Sequence, residues 1–186
     1  MNGNGTRHIL SILVENRFGE LCRIVGLFSG RGYNIDSLCV APTPDPAYSR
    51  IILTTNGNDA VMEQIQKQVG KLVRVLEVID LNEVSHVERE MALLIVSTAT
   101  PADRQEVLNL TGVFRAKVID ISSDAITVET TGSQEKVEAL LGLLRPLGVR
   151  EVVRTGPVAI PRISAARVTS GAAAPVDEVP EAESAV

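Results

Sequence analysis

The sequence predicts an α+β protein made of two tandem domains, each with one antiparallel sheet and two helices. In residues 7–82, apolar patterns follow the order strand, helix, strand, strand, helix, strand. The same order recurs at an offset of about 80 residues. Since each series contains enough apolar side chains for a core of its own, both units are predicted to be ferredoxin-like βαββαβ domains.

The elements of the first domain follow from two kinds of apolar pattern. Short runs of branched side chains, such as HILSILV, predict strands. Leu21, Ile24 and Phe28 recur at the spacing of one helix face, and the glycines after them end that helix. The prolines of PTPDPA cannot lie inside a ladder and predict a rigid hairpin loop. The predicted elements are strands at 8–14, 34–41, 48–55 and 73–81 and helices at 19–31 and 57–72.

The second domain repeats these patterns. MALLIVSTA predicts its first strand, and Val137, Leu140 and Leu144 lie at the spacing of one helix face. Ser123 and Asp124 predict a tight connection between two strands. The predicted elements are strands at 91–99, 116–123, 125–132 and 149–156 and helices at 100–114 and 133–148.

Changes in composition predict the boundaries of the domains. Residues 83–90 are charged and have no helical periodicity, so they are predicted to link a domain at 7–82 to a domain at 91–162. Residues 163–186 are rich in Ala, Pro, Glu and Ser and poor in large apolar side chains. This last segment is therefore predicted to be a disordered tail.

The bulk composition excludes several classes of protein. The net charge is -5, aromatic residues make up 3% and tryptophan is absent, which argues against binding of nucleic acid. No apolar run reaches the roughly 20 residues of a membrane span. The start, MNGNGTRHIL, lacks the features of a signal peptide, so we expect a cytoplasmic protein. Cys22 and Cys39 lie in apolar periodic segments without metal-ligand spacing and are expected to be buried.

The sequence contains few groups that could catalyse a reaction. Neither His8 nor His86 belongs to a metal-binding or catalytic-triad pattern. The segment SGRGYN lacks the third glycine of a dinucleotide-binding fingerprint, and it ends a helix rather than opening one. We therefore expect a chain that is not an enzyme by itself and that binds no metal or cofactor.

Asn16, Gly19 and Asn34 flank the two ends of the first predicted helix. A glycine in the first helical turn lets a ligand approach the backbone, whose free N–H groups favour a carboxylate. Asn16 fits either such a site or simple capping of the helix. Because the strands on either side of the helix pair elsewhere in the sheet, the two asparagines are not automatically neighbours within one chain. A two-fold dimer could bring them together.

These residues carry a resemblance to a known family. The segment RHILSILVENRFGELCRIVGLFSGRGYNIDSLCVAPTPDPAYSRI resembles the N-terminal ACT domain of the small regulatory subunit of acetohydroxyacid synthase, also called acetolactate synthase. The similarity is close in the pattern VEN..G.L.R..GLFS.RGYNI.SL.VAPT.DP..SR and continues to about Arg162. It implies a non-catalytic subunit that binds and activates the catalytic subunit and confers feedback inhibition by branched-chain amino acids, most often valine.

The resemblance also implies where the effector binds. In that family the effector lies at the interface between two ACT domains of a homodimer. Backbone N–H groups would take the carboxylate, asparagine oxygens the ammonium and apolar neighbours the branched side chain. Thiamine diphosphate, magnesium and FAD would belong to the catalytic subunit. Phe18 occupies a variable position of the motif, which leaves the choice among valine, leucine and isoleucine open. The implied site residues are Asn16, Gly19, Glu20, Leu21, Asn34 and Ile35.

Other interpretations account for parts of the sequence. A stand-alone ACT-domain sensor of amino acids would regulate another partner and would not activate the synthase. An RNA-recognition domain shares the βαββαβ order, but it needs exposed aromatics on its inner strands, where the sequence offers only Tyr48 at an edge. A metallochaperone of this order would require a C-x-x-C loop, which the sequence lacks. The second domain could contact the catalytic subunit, dimerise or support the first domain.

Overall fold

The predicted order of strands and helices is confirmed in the computed structural model, which describes residues 6–164. The first domain contains β1 (Thr6–Glu15), α1 (Glu20–Ser29), β2 (Ser37–Pro42), β3 (Tyr48–Gly57), α2 (Asp59–Val69) and β4 (Val75–Asp80). The second domain contains β5 (His86–Ser97), α3 (Pro101–Val113), β6 (Lys117–Ile121), β7 (Ala125–Gly132), α4 (Gln134–Gly148) and β8 (Val149–Pro161).

Both sheets have the same antiparallel topology. The strand order is β2-β3-β1-β4 in the first sheet and β6-β7-β5-β8 in the second. In each sheet, the first and third strands of the unit form the centre, with a helix after the first strand and another after the third. This arrangement confirms the predicted pair of tandem ferredoxin-like domains in an α+β fold.

Each domain has its own core between its sheet and its helices. Alternate residues of a strand point to the same face of the sheet, so Leu10, Ile12 and Val14 of β1 all face the helices. In the second domain, Leu94 and Val96 of β5 have the same role. Helix residues that complete the two cores are Ile24, Phe28, Met62, Ile65, Val69, Val107, Val137, Leu140 and Leu144.

A third apolar cluster lies on the opposite face of the first sheet and joins the two domains. It contains the buried Ile9, Ile52 and Leu81, and Ala159 from β8 packs against it. Leu81 begins a short 3-10 turn, Leu81–Glu83, that connects β4 to β5. The end of β8 therefore covers part of the sheet face that the helices of the first domain leave open.

The prediction of a linker at residues 83–90 is wrong for residues 86–90. β5 begins at His86, and residues 86–90 pair with the end of β8. Two of the charged side chains have charged partners: Glu88 forms an ion pair with Arg7, and the buried Glu90 binds Arg154. The lack of helical periodicity in this stretch did not exclude a strand, and Glu88 and Glu90 are paired, whereas Glu83 and Arg89 are exposed.

The structure also bears on the predictions for the two cysteines and for residues 163–186. Cys22 is exposed on α1 and Cys39 is half-buried, so the expectation that both are buried is wrong. The helical periodicity of the sequence did not show that Cys22 lies on the outer face of α1. The predicted tail, residues 163–186, lies outside the described residues apart from positions 163 and 164. Within residues 6–164, no helix is long and apolar enough to cross a membrane.

Candidate functional site

Helix α1 begins at a backbone that faces open space. Gly19 is the residue before its first turn and has φ 86° and ψ -8°, a left-handed conformation that favours glycine. A Cβ atom added to Gly19 would meet nothing within 4 Å. The N–H of Glu20 donates to the carbonyl of Arg17 at 3.4 Å. Helix geometry provides no acceptor within the helix for the next N–H groups, those of Leu21 and Cys22.

Two arginines form hydrogen bonds with the side chain of Glu20. Its carboxylate is 3% exposed, and Oε1 accepts hydrogen bonds from Arg23 and Arg74, each at 3.1 Å. A carboxylate in the first turn is also stabilised by the helix dipole. Glu20 can therefore contribute its main chain to a ligand site, while its side chain anchors the start of the helix.

Asn16 is not the cap of α1, because Gly19 occupies that position. The Asn16 side chain instead donates from Nδ2 to the carbonyl of Pro46 at 3.0 Å, and its backbone N–H donates to Ala47 at 2.7 Å. Asn16 lines a cavity of about 390 Å³ together with Arg17 and Tyr48. Its amide oxygen is the group that remains for a ligand, and simple capping no longer explains this residue.

Asn34 lies in the loop before β2 rather than in the strand, which begins at Ser37 and not at residue 34 as predicted. Its Nδ2 donates to Asp36 Oδ1 at 2.7 Å, and its carbonyl accepts from Thr55 Oγ1 at 2.6 Å. These polar contacts hold Asn34 outside the β2–β3 ladder, which begins at Ser37. Ile35 is half-buried and packs against the core of the first domain.

The two asparagines lie at opposite ends of the first sheet. Asn16 follows Glu15, which pairs with Tyr48 at the start of β3, whereas Asn34 binds Thr55 near the end of β3. Tyr48 and Thr55 are separated by about 24 Å at roughly 3.4 Å per residue. A single chain therefore does not bring Asn16 and Asn34 together.

Each of the two histidines has a polar contact with a nearby oxygen. His8 Nδ1 lies 2.6 Å from Asp80 Oδ2, and both residues are buried. His86 Nδ1 lies 3.0 Å from the carbonyl of Val84. Among residues 6–164, no three His, Cys, Asp or Glu side chains form a group that could hold a metal ion.

Models of known families match both domains. Residues 10–77 match the AHAS small subunit-like ACT domain, and residues 89–163 match the small subunit of acetolactate synthase. Together the two matches cover most of the chain. The chain belongs to the acetolactate synthase small-subunit family.

Individual members of the acetolactate synthase small-subunit family are similar along nearly their whole length. The small subunit from Aquifex aeolicus is 44% identical over 160 residues, which cover 86% of this chain and 83% of the relative. The isozyme 3 small subunit from Salmonella typhimurium is 46% identical, over 84% of this chain and 96% of the relative. The crystal structure of the small subunit from Thermotoga maritima is 41% identical, with a TM-score of 0.76 over 84% of this chain and 98% of that one.

The ACT match of the acetolactate synthase small-subunit family contains all of the predicted site residues. The structure adds contacts that the sequence prediction missed. Arg74 donates a hydrogen bond to the side chain of Glu20. Asn34 and Asn16 donate from their side chains to the Asp36 carboxylate and the Pro46 carbonyl, respectively. Arg74 is far from Glu20 in sequence, and no periodic pattern connects them. The predicted hairpin loop between β2 and β3 is present, and the carbonyl of Pro46 in this loop accepts from the Asn16 side chain.

Proposed function

We propose that this chain is a non-catalytic regulatory subunit of acetohydroxyacid synthase. It binds and activates the catalytic subunit in the cytoplasm and makes the enzyme sensitive to branched-chain amino acids, valine first. The names of its relatives support the partner, because each is described as a small subunit of acetolactate synthase. We assign thiamine diphosphate, magnesium and FAD to the catalytic subunit.

The open start of α1 is the observation that carries this proposal. The N–H groups of Leu21 and Cys22 and the helix dipole suit the carboxylate of an amino acid. The amide oxygen of Asn16 can accept from an ammonium group. Leu21 is partly exposed and Ile35 half-buried, so their side chains can contact a branched apolar side chain.

The other half of the site would come from a second copy of the chain. β2 is one of the two outer strands of the first sheet, and Val40 on it is exposed. Antiparallel pairing of β2 with its own copy across a two-fold axis would place the start of one β2 beside the end of the other. Asn34 precedes the start of β2, and Asn16 lies at the other end of the sheet. Such a dimer would bring Asn34 of one copy towards Asn16 of the other.

The proposal is tested by reconstitution with the acetolactate synthase catalytic subunit of the same organism. Acetolactate formation is measured with increasing amounts of this chain and then with increasing L-valine, L-leucine or L-isoleucine. We expect activation by the chain and inhibition by valine. Asn34→Ala should retain the activation and lose the inhibition. Asn109→Ala, which changes an exposed asparagine of α3, is the matched control and should behave as the wild type.

Two results would contradict the proposal in different ways. Unchanged inhibition of Asn34→Ala by valine would exclude the helix-end site. Failure of the wild-type chain to activate the synthase would favour a stand-alone sensor of amino acids that acts on another partner.

A further inference from the structure

The second domain contacts the first at a point close to the proposed effector site. The two domains meet where the end of β8 crosses the outer face of the first sheet. Ala159 packs against the cluster that contains Ile9 and Ile52. Arg7 Nη2 lies 2.6 Å from Glu88 Oε1 across the same boundary. Gly156, at the near end of this crossing segment, lies against the first domain with no room for a side chain.

Gly156 lies directly against Ser37, the first residue of β2. A Cβ atom added to Gly156 would lie 2.6 Å from Ser37 Oγ and closer still to Ser37 Cβ. Gly156 also has φ 68°, a left-handed conformation. It lies in a bulge of β8, where Thr155 and Gly156 together oppose Met91 of β5. Both the space and the backbone therefore require glycine at this position.

Ser37 has little freedom to move away from Gly156 by itself. Its Oγ is hydrogen-bonded to Thr54 Oγ1 at 2.6 Å, and Thr54 is buried in β3. On the other side, Thr155 Oγ1 accepts from the N–H of Met91 at 3.2 Å and holds the bulge to the second sheet. A displacement of the start of β2 would therefore be transmitted to β8 rather than absorbed by a change of side-chain rotamer.

The start of β2 is also connected to the proposed effector residues. Asp36, next to Ser37, accepts hydrogen bonds from Asn34 Nδ2 at 2.7 Å and from Asn56 Nδ2 at 2.5 Å. The backbone N–H of Asp36 donates to the carbonyl of Thr54 at 2.9 Å. Asp36 holds Nδ2 of the Asn34 amide, and Oδ1 of that amide is the atom that can accept from an ammonium group, so a ligand that repositions this amide changes the restraints on the residue beside Ser37.

The domain boundary beside this contact is not closely packed. A cavity of about 550 Å³ lies between the domains, lined by Asp36, Ser37 and Thr54 on one side and by Arg154, Thr155 and Gly156 on the other. A shift of the second domain here would leave the two main cores unchanged and would move the contact of Ala159 with the third apolar cluster and the Arg7–Glu88 ion pair. Close-packed cores resist such shifts, whereas the cavity leaves room for one at this boundary.

We propose that the contact between Gly156 and Ser37 couples the amino-acid site of the first domain to the position of the second domain. This proposal rests on the proposed function, because it concerns how the effector acts once bound. Binding at Asn34 shifts the Asp36–Ser37 segment, and Ser37 transmits the shift to β8 through Gly156. An allosteric effect of this kind requires the effector to favour one arrangement of the domains over the other.

The test uses the full-length chain, alone and with the catalytic subunit, and L-valine as the ligand. Calorimetry on the chain alone measures binding, and synthase activity measures the inhibition that binding causes. Gly156→Ala should raise the valine concentration for half-inhibition by about fivefold or more, and the valine Kd of the chain alone should rise with it, because the coupling of two sites is reciprocal. The double variant Ser37→Gly/Gly156→Ala removes the atoms that the new methyl group would meet and should recover most of the inhibition.

Two further variants separate the contact from general damage to the fold. Gly148→Ala places alanine at another left-handed position of the same domain, φ 95°, where the nearest atom outside its neighbours is Ser97 Cβ at 3.4 Å. Valine should inhibit the synthase that contains Gly148→Ala as strongly as it inhibits the wild-type enzyme. Ser37→Gly alone leaves the second domain unchanged and opens a gap at the contact, so it should also weaken inhibition. This single variant tests the coupling if Gly156→Ala does not fold.

The outcomes distinguish this proposal from the one on which it rests. Wild-type inhibition in Gly156→Ala, equal losses in Gly156→Ala and Gly148→Ala, or no recovery in the double variant would overturn the coupling alone. If the wild-type chain binds none of the three branched-chain amino acids and the synthase is not inhibited, the proposed function fails and the coupling fails with it.

Discussion

The carboxylate of Glu20 accepts hydrogen bonds from Arg23 and Arg74 on the same oxygen, Oε1, at 3.1 Å each. These contacts hold a buried charge at the first turn of α1, beside the backbone N–H groups to which we assign the carboxylate of the effector. The side chain of Glu20 and its backbone therefore have different roles, and they can be separated by substitution.

We predict that Glu20→Gln lowers stability but retains valine inhibition. Loss of the charge weakens two charge-assisted hydrogen bonds and the interaction with the helix dipole, which should cost about 1–2 kcal/mol in the free energy of unfolding. Urea unfolding measures that cost, and inhibition of the reconstituted synthase measures the site. A tenfold loss of valine sensitivity in this variant would mean that the carboxylate itself contacts the ligand.

Replacement of Gly19 tests the left-handed start of α1. Gly19→Ala should lower the free energy of unfolding by about 1 kcal/mol, because alanine is strained at φ 86° while its methyl group meets no neighbour within the chain. Gly142→Ala in α4 is the control, for which we expect the opposite change in the free energy of unfolding. It should raise stability by about 0.5–1 kcal/mol, because alanine favours a helix interior. Equal stability of the Gly19→Ala and wild-type chains in urea would contradict the assigned backbone conformation.

The ion pair of Glu90 with Arg154 should stabilise the second domain. The side chain of Glu90 is 2% exposed, and its Oε2 accepts from Arg154 Nη2 at 2.9 Å. Arg154→Met leaves this carboxylate buried without its partner and should cost about 2–4 kcal/mol. The double variant Glu90→Leu/Arg154→Met removes both charges and should recover at least half of the loss. If the two variants are equally unstable in urea, the pair is not the source of the effect.

The same pair predicts how stability depends on pH. The hydrogen bond with Glu90 raises the pKa of Arg154 above its usual range. A raised pKa gives a contribution that is complete below the unfolded value and is lost only as the pH rises through the folded value. The stability difference between the wild type and Arg154→Met should therefore stay constant from about pH 7 to about pH 10.

Asp124 should titrate at low pH in the folded chain. Hydrogen bonds from Arg150 and then from Ser122 lower the pKa of the Asp124 carboxyl. The stabilisation is present above the unfolded value of about 3.9 and is lost as the pH falls through the lower folded value. NMR titration of the carboxyl carbon should give a midpoint below about 3.9 that rises in Arg150→Gln. The control Arg145→Gln should leave the midpoint unchanged, and an unchanged midpoint in Arg150→Gln would contradict the assigned cause.

Periodicity and turn residues predicted the fold well, because each core forms within one domain from patterns of local sequence. The boundaries of β7 agree with prediction, and those of the other elements differ by a few residues. The largest differences are the start of β5 and the end of β8, which pair with each other beyond the predicted bounds. The charged residues at the start of β5 have partners in β1 and β8 that are distant in sequence. Local patterns contain no information on such partners.

The candidate site could be predicted from motif residues but not in its detail. Gly19 was predicted to lie in the first helical turn and to let a ligand approach the backbone, whereas the structure places it just before the helix in a left-handed conformation. That Asn16 binds the β2–β3 loop instead of capping the helix depends on tertiary contacts. Likewise, the placement of Asn16 and Asn34 at opposite ends of the first sheet follows from the strand order, which apolar patterns alone do not determine.

The most direct test of the account is a valine titration of a mixed dimer that contains one Asn16→Ala chain and one Asn34→Ala chain. The chains carry different tags so that the mixed dimer can be purified and titrated by calorimetry. If each site takes Asn16 from one copy and Asn34 from the other, the mixed dimer keeps one intact site, whereas neither parent dimer keeps any. We predict binding with the wild-type Kd at half the wild-type stoichiometry. No binding by the mixed dimer would contradict a site shared between two copies.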